Sequence, residues 1–210
     1  MAIELGSLAP DFNAKTTEGE IRFHDWIGEQ WCVFFSYPRD HSAVCMTELA
    51  VVSQIQPQLA RRNAKALGVC ITSIEKHHDW SADFPTAQGC SLNFPLAADP
   101  DGNIASLYGM VHPQHAGGVT SRCLFIIDPA RKLRMFAMYP TGVGRNFDEV
   151  LRIIDSLQLN ARHGLTTPAN WRAGELAVIP PGVSDEQAQA KYPSGYNSIT
   201  PYLRVVKPPE

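Results

Sequence analysis

Four stretches of the chain run almost unbroken in apolar, β-branched and aromatic residues: Cys32–Tyr37, Ala66–Thr72, Ser121–Ile127 and Leu133–Tyr139, with a weaker one at Leu92–Ala97. Runs of this length and content predict core strands. Between them the apolar period lengthens. From Cys45 to Asn63, residues Leu49, Val52, Ile55 and Leu59 share one helical face, and a second helical pattern covers Glu75–Ala87 until Pro85 interrupts it. Pro57 lies inside the first pattern and should kink or break it at the preceding turn, because proline has no N–H to donate and its ring crowds the carbonyl four residues back. Asp128-Pro129-Ala130-Arg131 reads as a turn between adjacent strands. Asn146-Phe147-Asp148-Glu149 resembles a capping box ahead of inward-facing Val150, Leu151, Ile154 and Leu157.

The resulting order is strand, helix, strand, helix, strand, strand, helix, and its first two connections look like βαβ crossovers. An α/β fold with a mixed sheet flanked by helices, of the thioredoxin-like sort, is the simplest closure of that order. After about Asn160 the texture changes, since seven of the sixteen prolines (168, 180, 181, 193, 201, 208 and 209) fall there. The expected organisation is therefore one domain over 1–160 and a C-terminal arm over 161–210. Trp171, Ile179, Tyr192, Tyr196, Tyr202 and Leu203 in the arm need apolar surface to pack on, and a segment so broken by proline is not expected to build its own core.

A chain of 210 residues can bury a full core, and 44% hydrophobic with 19% charged residues is ordinary globular usage. The formal net charge of −3 offers no positive field to a phosphate backbone, so nucleic acid is not an expected partner. Met1–Gly6 has no basic stretch leading into an apolar core, and runs such as Leu124–Ile127 are too short to span a bilayer, so a cytoplasmic protein without a membrane span is expected. Five cysteines (Cys32, Cys45, Cys70, Cys90 and Cys123), an odd number with no C-x-x-C pair, fit a reducing compartment and write neither a zinc knuckle nor a redox dithiol.

The chemistry concentrates in Phe34-Phe35-Ser36-Tyr37-Pro38-Arg39-Asp40-His41-Ser42-Ala43-Val44-Cys45-Met46-Thr47-Glu48-Leu49, which joins the first core strand to the first helix. With Ser42 as N-cap, Cys45 is the third helical residue, its sulfur near unpaired amide N–H groups and the positive end of the helix dipole. That placement favours the thiolate, the nucleophilic form of cysteine. Ser42 also brings a hydroxyl to the same turn, and Pro38 could shield the sulfur from water. A cation is still wanted to stabilise the thiolate and the charge that develops in its reaction, and Arg122, opening an otherwise apolar strand, is the candidate. The same pattern also fits a small buried hydrophobe on an amphipathic helix inside a non-catalytic scaffold, and spacing alone does not separate the two.

Pro38, Ser42 and Cys45 meet the pattern P-x-x-x-[TS]-x-x-C, and through it the sequence resembles the peroxiredoxins. The likeness is to their one-cysteine subgroup and extends over residues 5–206, through Leu8-Ala9-Pro10-Asp11-Phe12, Ile21-Arg22-Phe23-His24-Asp25, Pro38-Arg39-Asp40, Thr47-Glu48-Leu49, Thr120-Ser121-Arg122 and Gly144-Arg145-Asn146-Phe147-Asp148-Glu149. This resemblance implies a thioredoxin-like peroxidase that reduces hydrogen peroxide and organic hydroperoxides and is restored by an external thiol, small or carried by a redox protein. Cys45 is then the peroxidatic cysteine, Ser42 and Arg122 its activating partners, and Glu48 and Arg145 their support. A homodimer or a larger oligomer is implied as well, with the arm crossing onto the neighbouring subunit. Departures from the subgroup are Ser42 for the commoner threonine, Tyr37 where histidine is more frequent, and Ala43 and Met46 for proline and threonine; these bear on substrate access and on the redox partner.

Two-cysteine relatives commonly carry a resolving cysteine in the C-terminal region, where this chain has Ala169, and no cysteine follows Cys123. A one-cysteine cycle is expected, with Cys90, after Gly89 in a predicted loop, as the one credible exception. Cys32, Cys70 and Cys123 sit in strand runs and read as buried packing. His77-His78 and His112-Pro113-Gln114-His115 have no companion ligands and read as solvated; no metal or cofactor is expected. Gly142-Val143-Gly144 lacks the third glycine of a nucleotide loop. A phospholipase activity associated with mammalian members uses a serine, a histidine and an aspartate. Here His24 matches, but Gln30 and Ala130 stand at the other two positions, so that activity is not expected.

Overall fold

The structure, a computed structural model, describes residues 3–111 and 118–209. It opens with a hairpin, β1 (Asn13–Thr16) and β2 (Gly19–Arg22), followed by a short helix, α1 (Phe23–Ile27). No apolar run announces the hairpin, because β2 is an edge strand with no fully buried residue. The first two strong apolar runs form β3 (Trp31–Ser36) and β4 (Ala64–Cys70), the weak one contracts to β5 (Leu96–Ala98), and the last two form β6 (Arg122–Ile127) and β7 (Leu133–Tyr139). Among the described residues these seven strands make one sheet in the order β2-β1-β5-β4-β3-β6-β7, parallel where β4 meets β3 and β5 and antiparallel elsewhere. β3 and β6 are buried at every position, which is why their sequences run apolar without alternation.

The first helical pattern divides as Pro57 requires: α2 (Ala43–Gln54) ends at Ile55, and α3 (Gln56–Arg61) takes Pro57 into its first turn. The second pattern divides earlier than expected. α4 (Ile74–Ser81) stops short of Pro85, which sits in the first turn of α5 (Phe84–Gln88), where a missing N–H removes no helical hydrogen bond. A five-residue helix, α6 (Asn103–Leu107), is too short to have shown a period.

Alternation along β3 sends Phe34 and Phe35 to opposite faces. The Phe34 ring lies 4.9 Å from that of Tyr108, in a cluster with Phe23 and Phe125, while the Phe35 ring meets Phe94 and Phe147 at 6.0 Å each. Each such buried side chain stabilises the fold by about 1.5–3 kcal/mol. Gly68 on β4 is needed for close approach: a Cβ there would meet Leu96 at 2.8 Å and the rings of Phe35 and Tyr37 at 3.4 and 3.5 Å.

The chain forms two compact units, Met1–Phe147 and Asp148–Glu210, so nearly all of α7 (Phe147–His163) groups with the C-terminal segments rather than with a domain over 1–160. The second unit holds β8 (Ala177–Ile179), α8 (Asp185–Lys191), β9 (Asn197–Thr200) and β10 (Leu203–Val206), with the three strands in the antiparallel order β8-β10-β9. Leu165, Ala177, Ile179, Ala188, Tyr192 and Val206 bury themselves in a small core of their own, contrary to expectation. The reason is placement: the prolines at 180, 181, 193, 201, 208 and 209 all lie between or beyond these elements, where no ladder hydrogen bond is needed. Among the described residues no helix is long and apolar enough to cross a membrane.

Candidate active site

β3 delivers its chain at Ser36 into a loop, Tyr37–Ser42, that opens α2. Ser42 takes the N-cap position with extended backbone (φ −112°, ψ 129°), making Ala43, Val44 and Cys45 the first three helical residues, and its carbonyl accepts the Met46 N–H at 2.9 Å. Its hydroxyl does not cap the helix, which corrects the side-chain half of the expected N-cap and leaves the oxygen untied to the first turn.

Cys45 is fully buried, and its sulfur lies 3.3 Å from Nη1 of Arg122 on β6. The same Nη1 donates to Glu48 Oε2 at 2.7 Å, and Nε donates to the Thr141 carbonyl at 2.9 Å. Glu48 follows Cys45 by three residues on α2, hence on the same side of the helix. Arg145 closes the cluster from its backbone N–H (2.8 Å) and Nε (2.9 Å) to Glu48 Oε1, and from Nη2 to Oε2 (2.8 Å). Its Nη1 donates to the carbonyls of Ser36 and Cys123, and its guanidinium lies 4.9 Å from the Phe35 ring centre. Two guanidinium cations therefore face one carboxylate in a place nearly closed to water. A buried uncompensated charge is costly, and the Cys45 sulfur lies against this set, facing the Arg122 guanidinium. Of the residues expected from sequence, the structure thus brings Cys45, Arg122, Glu48 and Arg145 together, places Ser42 at the helix start, and buries Pro38 in the loop.

Tyr37 is engaged elsewhere. Its hydroxyl donates toward Asp40 Oδ1 at 3.1 Å and lies 3.2 Å from His77 Nδ1, and His77 Nδ1 is 3.1 and 3.0 Å from the two Asp40 oxygens. His77 Nε2 meets the Ala97 carbonyl at 3.2 Å. Sequence reading missed Asp40 and misjudged His77, which is fully buried on α4 while His78 is exposed. The available signal was its spacing of three from Trp80, also fully buried. Ser36 and Thr120 were missed too: Ser36 Oγ donates to the Ser121 carbonyl at 2.7 Å and accepts the Cys123 N–H at 3.1 Å, and Thr120 Oγ1 donates to the Tyr37 carbonyl at 2.9 Å.

All five cysteines are free thiols. Burial pushes the thiols of Cys32, Cys70 and Cys123 upward, away from the reactive thiolate, whereas Cys90 is half-buried after the left-handed Gly89 that ends α5. Among the described residues no group of histidines, cysteines and carboxylates is arranged to hold a metal ion; His112 and His115 lie outside the described residues. His24 is tied through Nε2 to the Ala9 carbonyl at 2.7 Å, a local knot beside Asp11.

Residues 5–136 match the AhpC/TSA family, and residues 156–195 match the C-terminal domain of 1-Cys peroxiredoxin. The chain is 42% identical to Peroxiredoxin-6 of Rattus norvegicus over 91% of its own length and 89% of that protein's. It superposes on the yeast mitochondrial 1-Cys peroxiredoxin with a TM-score of 0.92 at 40% identity, covering 98% of this chain and 99% of the other. A cysteine-to-serine mutant of the peroxiredoxin 6 of Arenicola marina aligns with a TM-score of 0.93 at 37% identity over the whole of both chains.

Proposed function

Because the chain belongs to the AhpC/TSA family and, within it, to the one-cysteine peroxiredoxins, we propose that its working unit is the buried cluster of Cys45, Arg122, Glu48 and Arg145, with Ser42 and Pro38 forming the peroxide side of the site. The protein is a thiol-dependent peroxidase that reduces hydroperoxides with electrons from an external thiol. In our reading the Cys45 thiolate attacks the terminal oxygen of ROOH. The O–O bond breaks, the electron pair leaves on RO⁻ and is protonated to ROH, and the sulfur becomes a sulfenic acid. Arg122 stabilises both the attacking sulfur and the charge growing on the leaving oxygen. Glu48 holds the Arg122 fork in place, and Arg145 holds Glu48.

The observation that carries this reading is the 3.3 Å contact between Arg122 Nη1 and Cys45 Sγ inside a buried cluster of two guanidinium groups and one carboxylate; a bystander thiol has no use for a buried cation. Replacing Cys45 by serine tests it. Peroxide consumption in the presence of thiol should fall to the uncatalysed rate, and consumption at the parental rate would refute the assignment.

The yeast relative's structure concerns thiol resolution via the glutathione and thioredoxin systems, and we extend that reductant class to this chain. We also propose a homodimer. Its support is β7, an edge strand of the sheet whose Phe136 and Met138 are exposed. A reducing compartment, the cytoplasm in our reading, suits five free thiols; subcellular fractionation checks it.

A further inference from the structure

The loop from Tyr37 to Ser42 is fastened to α4 by a buried polar cluster that the peroxide chemistry does not use. Its hydrogen-bond geometry restricts the arrangements its protons can take. The Ala97 carbonyl can only accept, so His77 Nε2 carries a proton and donates to it. Nδ1 faces both Asp40 oxygens at 3.0 and 3.1 Å. A bare Nδ1 would set its lone pair against an ionised carboxylate in a buried place that screens the clash poorly. The Tyr37 hydroxyl has a single hydrogen and can satisfy either Asp40 or Nδ1, but not both. Every contact is attractive when His77 is doubly protonated and Asp40 is ionised, with Tyr37 donating to Asp40 as well. Burial, with the Cys70 thiol, Asp40 and the Cys45 thiol around it, holds the Tyr37 phenol far above its usual range, so it remains a donor. Among the described residues the ionisable groups facing this cluster are Tyr37 and Asp40 from the loop and Cys70 from β4, with Cys45 of α2 near enough to Tyr37 and Cys70 to act on them electrostatically.

A second observation concerns the next residue of the loop. His41 has φ +52°, left-handed backbone that is uncommon for a residue bearing Cβ, although histidine enters it more readily than most. Its ring lies 6.0 Å from that of Trp80 and 3.7 Å from the Asp83 carboxylate, so this residue too is tied to the α4–α5 region.

We propose that His77 is a positioning residue for the peroxidase reaction: doubly protonated and paired with Asp40, it clamps the Tyr37–Ser42 loop that presents Pro38 and Ser42 to the Cys45 sulfur. The proposal rests on the reading of the site given above. His77 touches no reacting atom and acts through Asp40 and Tyr37. The clamp is separate from the Arg122, Glu48 and Arg145 cluster that activates the thiol, so the two can be told apart by their effects.

Two measurements test it. In the ¹⁵N-histidine-labelled, reduced parent protein at pH 7, both ring nitrogens of His77 should carry the chemical shift of protonated nitrogen, while a single neutral tautomer would overturn the clamp. In His77→Gln, and in Asp40→Asn as a variant of unchanged shape, the rate constant for hydrogen peroxide should fall about tenfold to a hundredfold, while the rate of Cys45 alkylation by iodoacetamide stays within about twofold of the parent because thiolate activation is intact. A folded variant that reacts with peroxide at the parental rate refutes the proposal, as does an equal loss of both rates, which would mark general loosening. If neither variant folds, the resonance measurement decides alone. Cys45→Ser, run alongside, separates the two levels: if it retains peroxidase activity the site reading fails, and if it is inactive while His77→Gln is unimpaired, only the clamp fails.

Discussion

Glu48 is shared by two buried guanidinium groups, and removing its charge leaves both in a place closed to water. Glu48→Gln should therefore destabilise the protein by about 3–5 kcal/mol, the usual consequence of breaking a buried ion pair from one side, measurable as a lower denaturant midpoint. Arg122→Met should slow the reaction with hydrogen peroxide by about 10²- to 10³-fold, the range for losing one donor aimed at developing charge; stopped-flow kinetics under single-turnover conditions would show it. Arg122→Lys should fall between, because an ammonium restores the charge but not a fork that reaches sulfur, carboxylate and the Thr141 carbonyl together. The strand-to-helix junction and the one charged residue in an apolar run pointed to Cys45 and Arg122, which the structure places 3.3 Å apart, but the junction alone left a structural cysteine equally open and only the family resemblance separated the two. The Asp40–His77 pair was not legible, since its partners lie 37 residues apart on a loop and a helix and a buried histidine looks in sequence like a solvated one.

At the level of elements, legibility followed burial. β3 and β6, covered on both faces, were visible as continuous apolar runs, whereas β1 and β2 bury only Ala14 and Thr16 between them and left no pattern. What fastens that hairpin is polar. Asp11 accepts the N–H groups of Phe12 and His24 at 3.1 and 2.9 Å and the Nε–H of Arg22 at 2.8 Å. Burial pushes the Asp11 carboxyl up, but the His24 N–H and the Arg22 guanidinium together pull it further down, leaving it below the usual carboxylate value. A carboxyl depressed on folding contributes stability that is complete above its unfolded value and is lost as pH falls through the folded one. Asp11→Asn should therefore lower the melting temperature at pH 7, and the gap to the parent should narrow as pH falls below about 4. A gap that stayed constant to pH 3 would show that shape rather than charge ties the hairpin.

Over the whole molecule, the C-terminal segment was the least legible part, because counting prolines could not reveal that they fall between its strands. Its own small core removes the motive first expected for docking on a neighbour, and the proposed dimer leans instead on the β7 edge. Phe136→Lys combined with Met138→Lys should shift sedimentation from dimer toward monomer, and an unchanged dimer would move the interface elsewhere. The catalytic cycle is also a property of the whole chain, since it depends on whether any second thiol can reach Cys45. Burial pushes the thiols of Cys32, Cys70 and Cys123 up, away from the thiolate, and Cys90 is the one cysteine that is half-exposed. Mass mapping of the reduced protein after one equivalent of hydrogen peroxide, with a sulfenic-acid trap in one sample and glutathione or thioredoxin in another, tests the central claim most directly. A trap adduct on Cys45 alone in the first sample, and Cys45 returned to the free thiol in the second, is the expected result; an unmodified Cys45 in the trapped sample, or a dominant Cys45–Cys90 disulfide together with lost turnover in Cys90→Ser, would contradict it.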